Sequence, residues 1–219
     1  IVPSYTFAAT VNAIIYNNAE PWFFDCDNNF DLSLKSLEKV LKKKTYIKNS
    51  KLRMKTNNKI VKAIIPVSTF GKSLNFEKYY NFAKKYKLKI LFDTAACHDP
   101  KIFKFRKKEN MNFVFSFNGN KTITTGAGGI FASNSKSIVN KVKIYANVGK
   151  KFSKYDYSVS GFNYKMTNIQ AALGIAQLGI LEKILKKKKK IFLNYLNFFK
   201  KSDYKILCDE RFINWVFVL

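Results

Sequence analysis

Residues 112–135 read NFVFSFNGNKTITTGAGGIFASNS, and Lys121 is the only charged side chain among them. Lysine and arginine make up 40 of the 219 residues, so a window of this length should hold about four of them. The apolar run 112–117 predicts a strand and 128–132 a second strand paired with it, with Asn-Gly-Asn-Lys turning between them. A lone amine among Asn, Gly, Thr and Phe is poorly solvated, which lowers its pKa and makes it a candidate nucleophile. The same residues also describe a plain strand and loop with one solvated lysine at the tip. The segments on either side decide between the two.

Strand and helix alternate along the chain. Residues 6–17 carry Phe7, Val11, Ile14 and Ile15 at helical spacing, and residues 22–26 form a short apolar strand. Asp31 or Ser33 can cap a helix whose apolar face is Leu34, Leu37, Val40 and Leu41. Residues 45–58 are polar and basic without a period, which predicts a surface excursion. Residues 60–67 predict a buried strand closed by a turn at Gly71. Asn75 caps a helix using Phe76, Tyr79, Tyr80, Ala83 and Tyr86, and residues 88–92 form the next strand, with Asp93 at its C-terminal edge. Further on, Ser135 caps a helix with Ile138, Val142 and Tyr145, and residues 149–161 form a Ser/Tyr/Lys loop. Thr167-Asn168-Ile169-Gln170 is a capping box that opens one long helix to about Lys200.

Near-continuous apolar strands separated by helices predict an α/β fold, a three-layer sandwich with a mostly parallel sheet covered by helices on both faces. Chemistry in such sheets sits at the C-terminal ends of strands. Asp93, Lys121 and the turn from Ser116 to Gly119 all fall there.

Composition narrows the function. A chain that is 47% hydrophobic and 16% aromatic buries a core and is not disordered. No apolar run reaches the roughly 18 residues of a membrane span, no signal peptide is visible, and no membrane partner is expected. Cys26, Cys97 and Cys208 are widely separated, with no CxxC or Cys/His cluster. They predict neither a disulfide framework nor a metal site, and they fit a reducing cytoplasm. The net charge of +26 invites a nucleic-acid reading. Against it, only Arg53, Arg106 and Arg211 are arginine, whereas base and phosphate readers lean on that fork-shaped group. Lysine is abundant together with Asn, Ile, Phe and Tyr, whose codons are rich in A and T. The charge therefore reads as composition bias over solvated faces, with Lys186–Lys190 an exposed helix flank, and no nucleic-acid partner is expected. Ile1 is not a start residue, and residues 214–219 stop inside an apolar strand-like run. Both ends predict an internal piece of a longer protein.

Three features converge. Asp93 could hold a protonated ring nitrogen, bind a metal, or cap a turn. Metal has no support from spacing, because His98 is the sole histidine. Ser116 and the free N–H groups of the Gly/Thr loop make a phosphate cradle. The run from Thr124 to Gly129 can also serve only tight turns and close packing. An amine, a strand-end carboxylate and a phosphate cradle on one sheet edge are the parts of a pyridoxal phosphate site.

Five segments carry a resemblance. They are VPSYTFAATVNAIIYNNAEPWFFDCD, AIIPVSTFG, LFDTAACHD, FSFNGNKTITTGAGGIF and GFNYKMTNIQAALGIAQL, in that order. With them the chain resembles the DegT/DnrJ/EryC1/StrS family of pyridoxal phosphate-dependent sugar aminotransferases over nearly its whole length. The FNGNKTITTG wording and the basic insert before AIIPV look most like the branch that aminates UDP-linked 4-keto-6-deoxy-N-acetylhexosamines. The resemblance implies the large domain of a fold-type I transferase over residues 1–203, with a truncated small domain from 204 to 219. It implies that Lys121 forms the Schiff base and shuttles the proton, Asp93 pairs with the pyridinium nitrogen, Ser116 binds the phosphate and Phe7 stacks on the ring. Asn163 would reach the phosphate of a neighbouring subunit's cofactor, which makes the protein a homodimer with shared sites. The implied substrates are a nucleotide-linked keto-sugar and glutamate as amino donor, for surface glycan biosynthesis.

Some positions depart from the family pattern. The polar residue usual three after the aspartate is Ala96, which weakens one contact to the ring, and the acid usual before it is Phe92. The family's SGT-A-x-x-L phosphate segment would lie ahead of Ile1, so this chain alone is expected to be a poor catalyst. Three other readings remain at this point. A family dehydratase would carry histidine in place of Lys121, a lysine-rich nucleic-acid module would show no chromophore, and a non-catalytic remnant would fold incompletely.

Overall fold

The computed structural model describes residues 1–107, 110–151, 155–204 and 215–218. In chain order the first elements are β1 (Val2–Pro3), α1 (Ala8–Ile15), β2 (Phe23–Phe24), α2 (Leu34–Lys44), β3 (Thr45–Lys48), β4 (Lys51–Met54), β5 (Ile60–Val61) and β6 (Ala63–Ile64). There follow α3 (Phe76–Lys85), β7 (Lys89–Ile90), β8 (Phe92–Asp93), β9 (Asn112–Ser116), β10 (Gly129–Ser133), α4 (Lys136–Ala146), α5 (Asn168–Gly179) and α6 (Leu181–Phe199).

β1 pairs parallel with β2, β6 with β7, and β8 with β9. The Ile65 N–H donates to Ile1 O, and a parallel bridge joins Val67 to Asp93. These bonds link the short strands into one layer ordered β2-β1-β6-β7/β8-β9-β10. Only β10 runs against it, antiparallel to β9 from Gly129 opposite Ser116 to Ser133 opposite Asn112. The expected α/β class with a mostly parallel sheet is the fold observed.

Helical periodicity places the core. Leu34, Leu37 and Leu41 of α2 and Phe76, Tyr79, Phe82 and Ala83 of α3 are buried in one cluster with Ile64, Ile90, Phe92 and Phe113 of the sheet. Phe92 stacks on Phe113 at 5.1 Å between ring centroids, and Phe76 meets both edge-on. The caps are those the residue types dictate. Ser33 accepts from the Ser36 N–H, Asn75 from the Lys78 N–H and Ser135 from the Ile138 N–H. Thr167 and Gln170 form the reciprocal capping box.

The structure corrects four expectations. Residues 45–58 are not an irregular excursion: β3 and β4 form an antiparallel hairpin, and β5 pairs with β4. The pattern hid because Tyr46, Ile47 and Lys48 are all exposed, so burial does not alternate along β3. The run 60–67 is accordingly split, β5 serving the hairpin and β6 the main layer. The long helix is broken at Ile180, whose φ of −111° and ψ of 7° leave the helical region between α5 and α6. Within the lysine run, Lys188 is half-buried, and its Nζ donates to Trp215 O at 3.0 Å. The expected start of a second domain at 204 lies, for residues 205–214 and 219, outside the described residues. Trp215–Val218 return to the main body, where Phe217 packs against Phe192, Tyr195 and Phe199 of α6.

Candidate active site

Parallel neighbours end on the same edge of a sheet, and this is what assembles the site. β8 and β9 are parallel, with Asp93 opposite Val114. Asp93 ends β8 and Ser116 ends β9, and the turn holding Lys121 leaves from that same edge. The Lys121 N–H donates to Asn118 O at 3.0 Å, which closes the turn.

The Asp93 carboxylate is divided between two tasks. Oδ1 accepts from the Ala95 N–H at 3.1 Å and caps the turn after β8. Oδ2 accepts from Thr10 Oγ1 at 2.6 Å, while Thr6 Oγ1 donates to Thr10 Oγ1 at 2.9 Å. A hydroxyl relay from the first turn of α1 therefore fixes the plane of the carboxylate. Thr10 is buried, so the bond is made away from bulk water, where it is stronger.

Lys121 is half-buried, and burial lowers the pKa of its amine, with the nearby Asp93 charge partly offsetting the shift. The direction agrees with the solvation argument from the charge-free window. Its Nζ lies 4.2 Å from the centroid of the Trp215 ring. The Gly-rich run beside it serves close packing. A Cβ on Gly129 would stand 2.5 Å from Phe115 O, and one on Gly128 would stand 3.2 Å from Met166 Cε. From α5, Gly174 approaches Thr125, and Gln177 accepts from the Thr124 N–H at 3.4 Å.

Ser116 Oγ accepts from the Asn118 N–H at 3.3 Å. Its carbonyl lies 3.0 Å from Nε2 of the buried His98. A carbonyl only accepts, so Nε2 carries the hydrogen. Burial lowers the His98 pKa, and the charges of Lys121 and Lys188 act in the same direction. The ring thus stays neutral and braces the strand end that carries the Ser116 hydroxyl.

Phe7 sits at the N-cap of α1 with its ring 82% exposed. It is three residues from Thr10 and so on the helix end that meets Asp93. Ala96 is half-buried and offers only a methyl group and its backbone. Phe92, where the family pattern has an acid, is fully buried in the aromatic cluster, a position no unpaired carboxylate could hold cheaply. Asn163 lies on an exposed segment, bridged through its backbone to Asn147 after α4. Thr10, His98 and Trp215 were not singled out as site residues from the sequence. Thr10 had a signal in the TFAAT spacing, one helical turn after Phe7, whereas the other two show only through long-range packing. Among the described residues no group of three or more His, Cys, Asp or Glu side chains could hold a metal ion. The donor set is an amine of lowered pKa, a carboxylate held in a fixed plane, a strand-end hydroxyl and an exposed aromatic face. It fits a planar cofactor with a carbonyl, a basic ring nitrogen and a phosphate.

Comparison with known proteins agrees with the fold. Residues 1–211 match the DegT/DnrJ/EryC1/StrS aminotransferase family, and the chain belongs to it. It is 34% identical over 197 residues to the GDP-perosamine synthase of Escherichia coli O157:H7, covering 87% of this chain and 49% of that protein. It is 32% identical over 204 residues to a UDP-4-amino-4,6-dideoxy-N-acetyl-beta-L-altrosamine transaminase of Campylobacter jejuni, covering 91% and 50%. The structure of Helicobacter pylori PseC, an aminotransferase involved in the biosynthesis of pseudoaminic acid, superposes with a TM-score of 0.79 at 25% identity. That match covers 99% of this chain and 56% of PseC. The chain spans about half the length of the curated relatives it matches.

Proposed function

We propose that this chain is the cofactor-binding part of a pyridoxal phosphate-dependent aminotransferase acting on a nucleotide-linked keto-sugar, a 4-keto-6-deoxy sugar by the wording of its lysine loop. The observation that carries the reading is Lys121, an amine whose pKa is lowered by burial, with the Asp93 charge partly offsetting the shift, beside the shared end of β8 and β9. Family membership supports the reaction class, and the names of the relatives support the substrate class.

Pyridoxal phosphate, when bound, supplies an electron sink for the carbon from which a proton is removed. The rest falls to the chain. Lys121 would hold the cofactor through its amine and would serve as the base that carries the proton. Asp93, oriented by Thr10, holds a proton on the ring nitrogen. Ser116 anchors the phosphate, and Phe7 covers a ring face.

Glutamate as donor, a cytoplasmic location and a homodimer with shared sites belong to the same proposal. The dimer draws support from apolar side chains left exposed around Asn163 and on α5. Phe162, Tyr164, Ile169 and Ile175 are 50%, 72%, 83% and 72% exposed. Phe162 and Tyr164 are stacked on each other. Large apolar side chains left this exposed are candidates for an association surface. Among the described residues no helix is long and apolar enough to cross a membrane.

The test is spectroscopic. Full-length protein reconstituted with pyridoxal phosphate is expected to show the visible band of lysine-attached cofactor, and Lys121→Ala to abolish it. Survival of the band in that variant overturns the assignment.

A further inference from the structure

Trp215 is fixed from three directions. Its backbone N–H donates to Phe70 O at 2.8 Å, and its indole Nε1–H donates to Asn120 O at 2.8 Å. Its carbonyl accepts from Lys188 Nζ at 3.0 Å. Gly71 makes room for it: a Cβ there would stand 2.5 Å from Trp215 Cβ and 2.7 Å from its nitrogen. Two residues on, Phe217 is held in the ring cluster of α6. The indole plane is therefore set by the surrounding fold, independently of Lys121, and it presents a face to the Lys121 nitrogen at 4.2 Å from the ring centroid.

A lysine tail has four rotatable bonds and no intrinsic reason to stay in a site. An indole face within about 6 Å of an ammonium attracts it through the ring quadrupole. The contact itself is not a hydrogen bond, so it need not be exchanged for one when the nitrogen reacts. A carboxylate in the same place would trap the charge far more tightly.

We propose that Trp215 is a positioning residue for Lys121, its indole face keeping the protonated side-chain nitrogen in the site while that nitrogen is not bonded to cofactor. The inference rests on the reading of Lys121 as the attaching lysine, but it concerns the cofactor-free chain and is tested there.

The measurement is a double-mutant cycle on the unfolding equilibrium of the cofactor-free, full-length protein. Lys121→Met and Trp215→Leu are measured singly and together. Near neutral pH the two sites should couple by about two- to fivefold in the unfolding constant. Trp215→Phe should keep most of the coupling, whereas Trp215→Leu, which retains apolar bulk without a π face, should lose it. Raising the pH above the amine's pKa should remove the coupling in the wild-type pair. A coupling absent at neutral pH, or one that survives deprotonation or the leucine substitution, overturns the proposal. If a variant fails to fold, a second readout serves. Trp22→Phe removes the other of the two indoles in these 219 residues, and emission is read as the difference between proteins with and without Trp215. Its emission should then step with pH as Lys121 loses its proton, and the step should vanish in Lys121→Met. Identical emission profiles in the two proteins overturn it equally. Loss of the visible cofactor band in Lys121→Ala is independent of Trp215, so the failure of this inference is distinguishable from failure of the functional reading.

Discussion

Thr10 Oγ1 donates to Asp93 Oδ2 at 2.6 Å across 83 residues of sequence, tying the first turn of α1 to the end of β8. The contact does two things at once. It satisfies a buried hydroxyl, and it turns a turn-capping aspartate into one whose second oxygen has a defined direction. The capping role and the chemical role of Asp93, alternatives on sequence grounds, are compatible because a carboxylate has two oxygens.

Thr10→Val keeps the shape of the side chain and removes the donor. Hydrogen bonds to charged groups contribute about 1.5–3 kcal/mol, and a loss at the low end of that range is expected in chemical denaturation, with Thr10→Ser restoring most of it. If the full-length protein has the proposed activity, Asp93→Asn should leave the visible cofactor band present while lowering kcat by about 10²- to 10³-fold. A variant with unchanged kcat removes Asp93 from the mechanism.

Lys121 should react with carbonyl reagents at lower pH than the exposed lysines. Only the neutral amine is nucleophilic, and burial shifts its pKa down from the ordinary lysine value. Imine trapping by reduction, followed by peptide mapping across a pH series, reads this directly. The expected midpoint for Lys121 lies below the ordinary lysine value.

His98 sets an acid limit on stability. Its folded pKa is lowered by burial, and the unfolded chain takes up that proton at about pH 6.5. Below that point the unfolded state binds a proton the folded state refuses, so stability falls as pH drops from about 6.5 toward the lower folded value. Tm measured from about pH 7.5 to about pH 5 should fall less steeply in His98→Gln than in the wild type, because glutamine cannot take up a proton.

Gly71→Ala should destabilise the return of the C-terminal segment. Its φ is +79°, and an added Cβ would meet Ala96 O at 2.7 Å as well as Trp215. Strain of this kind costs about 1–3 kcal/mol. A drop in Tm together with faster proteolysis near Trp215 is expected, and an unchanged Tm would show that the segment does not rest on Gly71.

The elements were legible where burial alternates with a helical or strand period. Leu34, Leu37 and Leu41, or Phe76, Tyr79 and Ala83, lie on one stripe because one face meets the sheet. The β3–β4 hairpin was illegible for the converse reason, since Tyr46 and Ile47 face solvent and leave no alternation to read. The break at Ile180 had one local signal, Gly179 immediately before it, but a single glycine is tolerated inside a helix and Thr167 to Lys200 contains no proline to force a stop.

For the site, local pattern alone places the chemical groups at the strand ends. Asp93 closes an apolar run, Ser116 closes the next, and Lys121 stands alone in a charge-free turn, all consequences of local pattern. Only the tertiary structure decided which groups act on them. Thr10 reaches Asp93, His98 reaches the Ser116 carbonyl and Trp215 covers Lys121 because parallel pairing aligns the ends of β8 and β9 and α6 carries Phe217 back beside them. Such contacts join residues far apart in the chain, and their geometry is set by sheet register and helix packing, which no local period encodes.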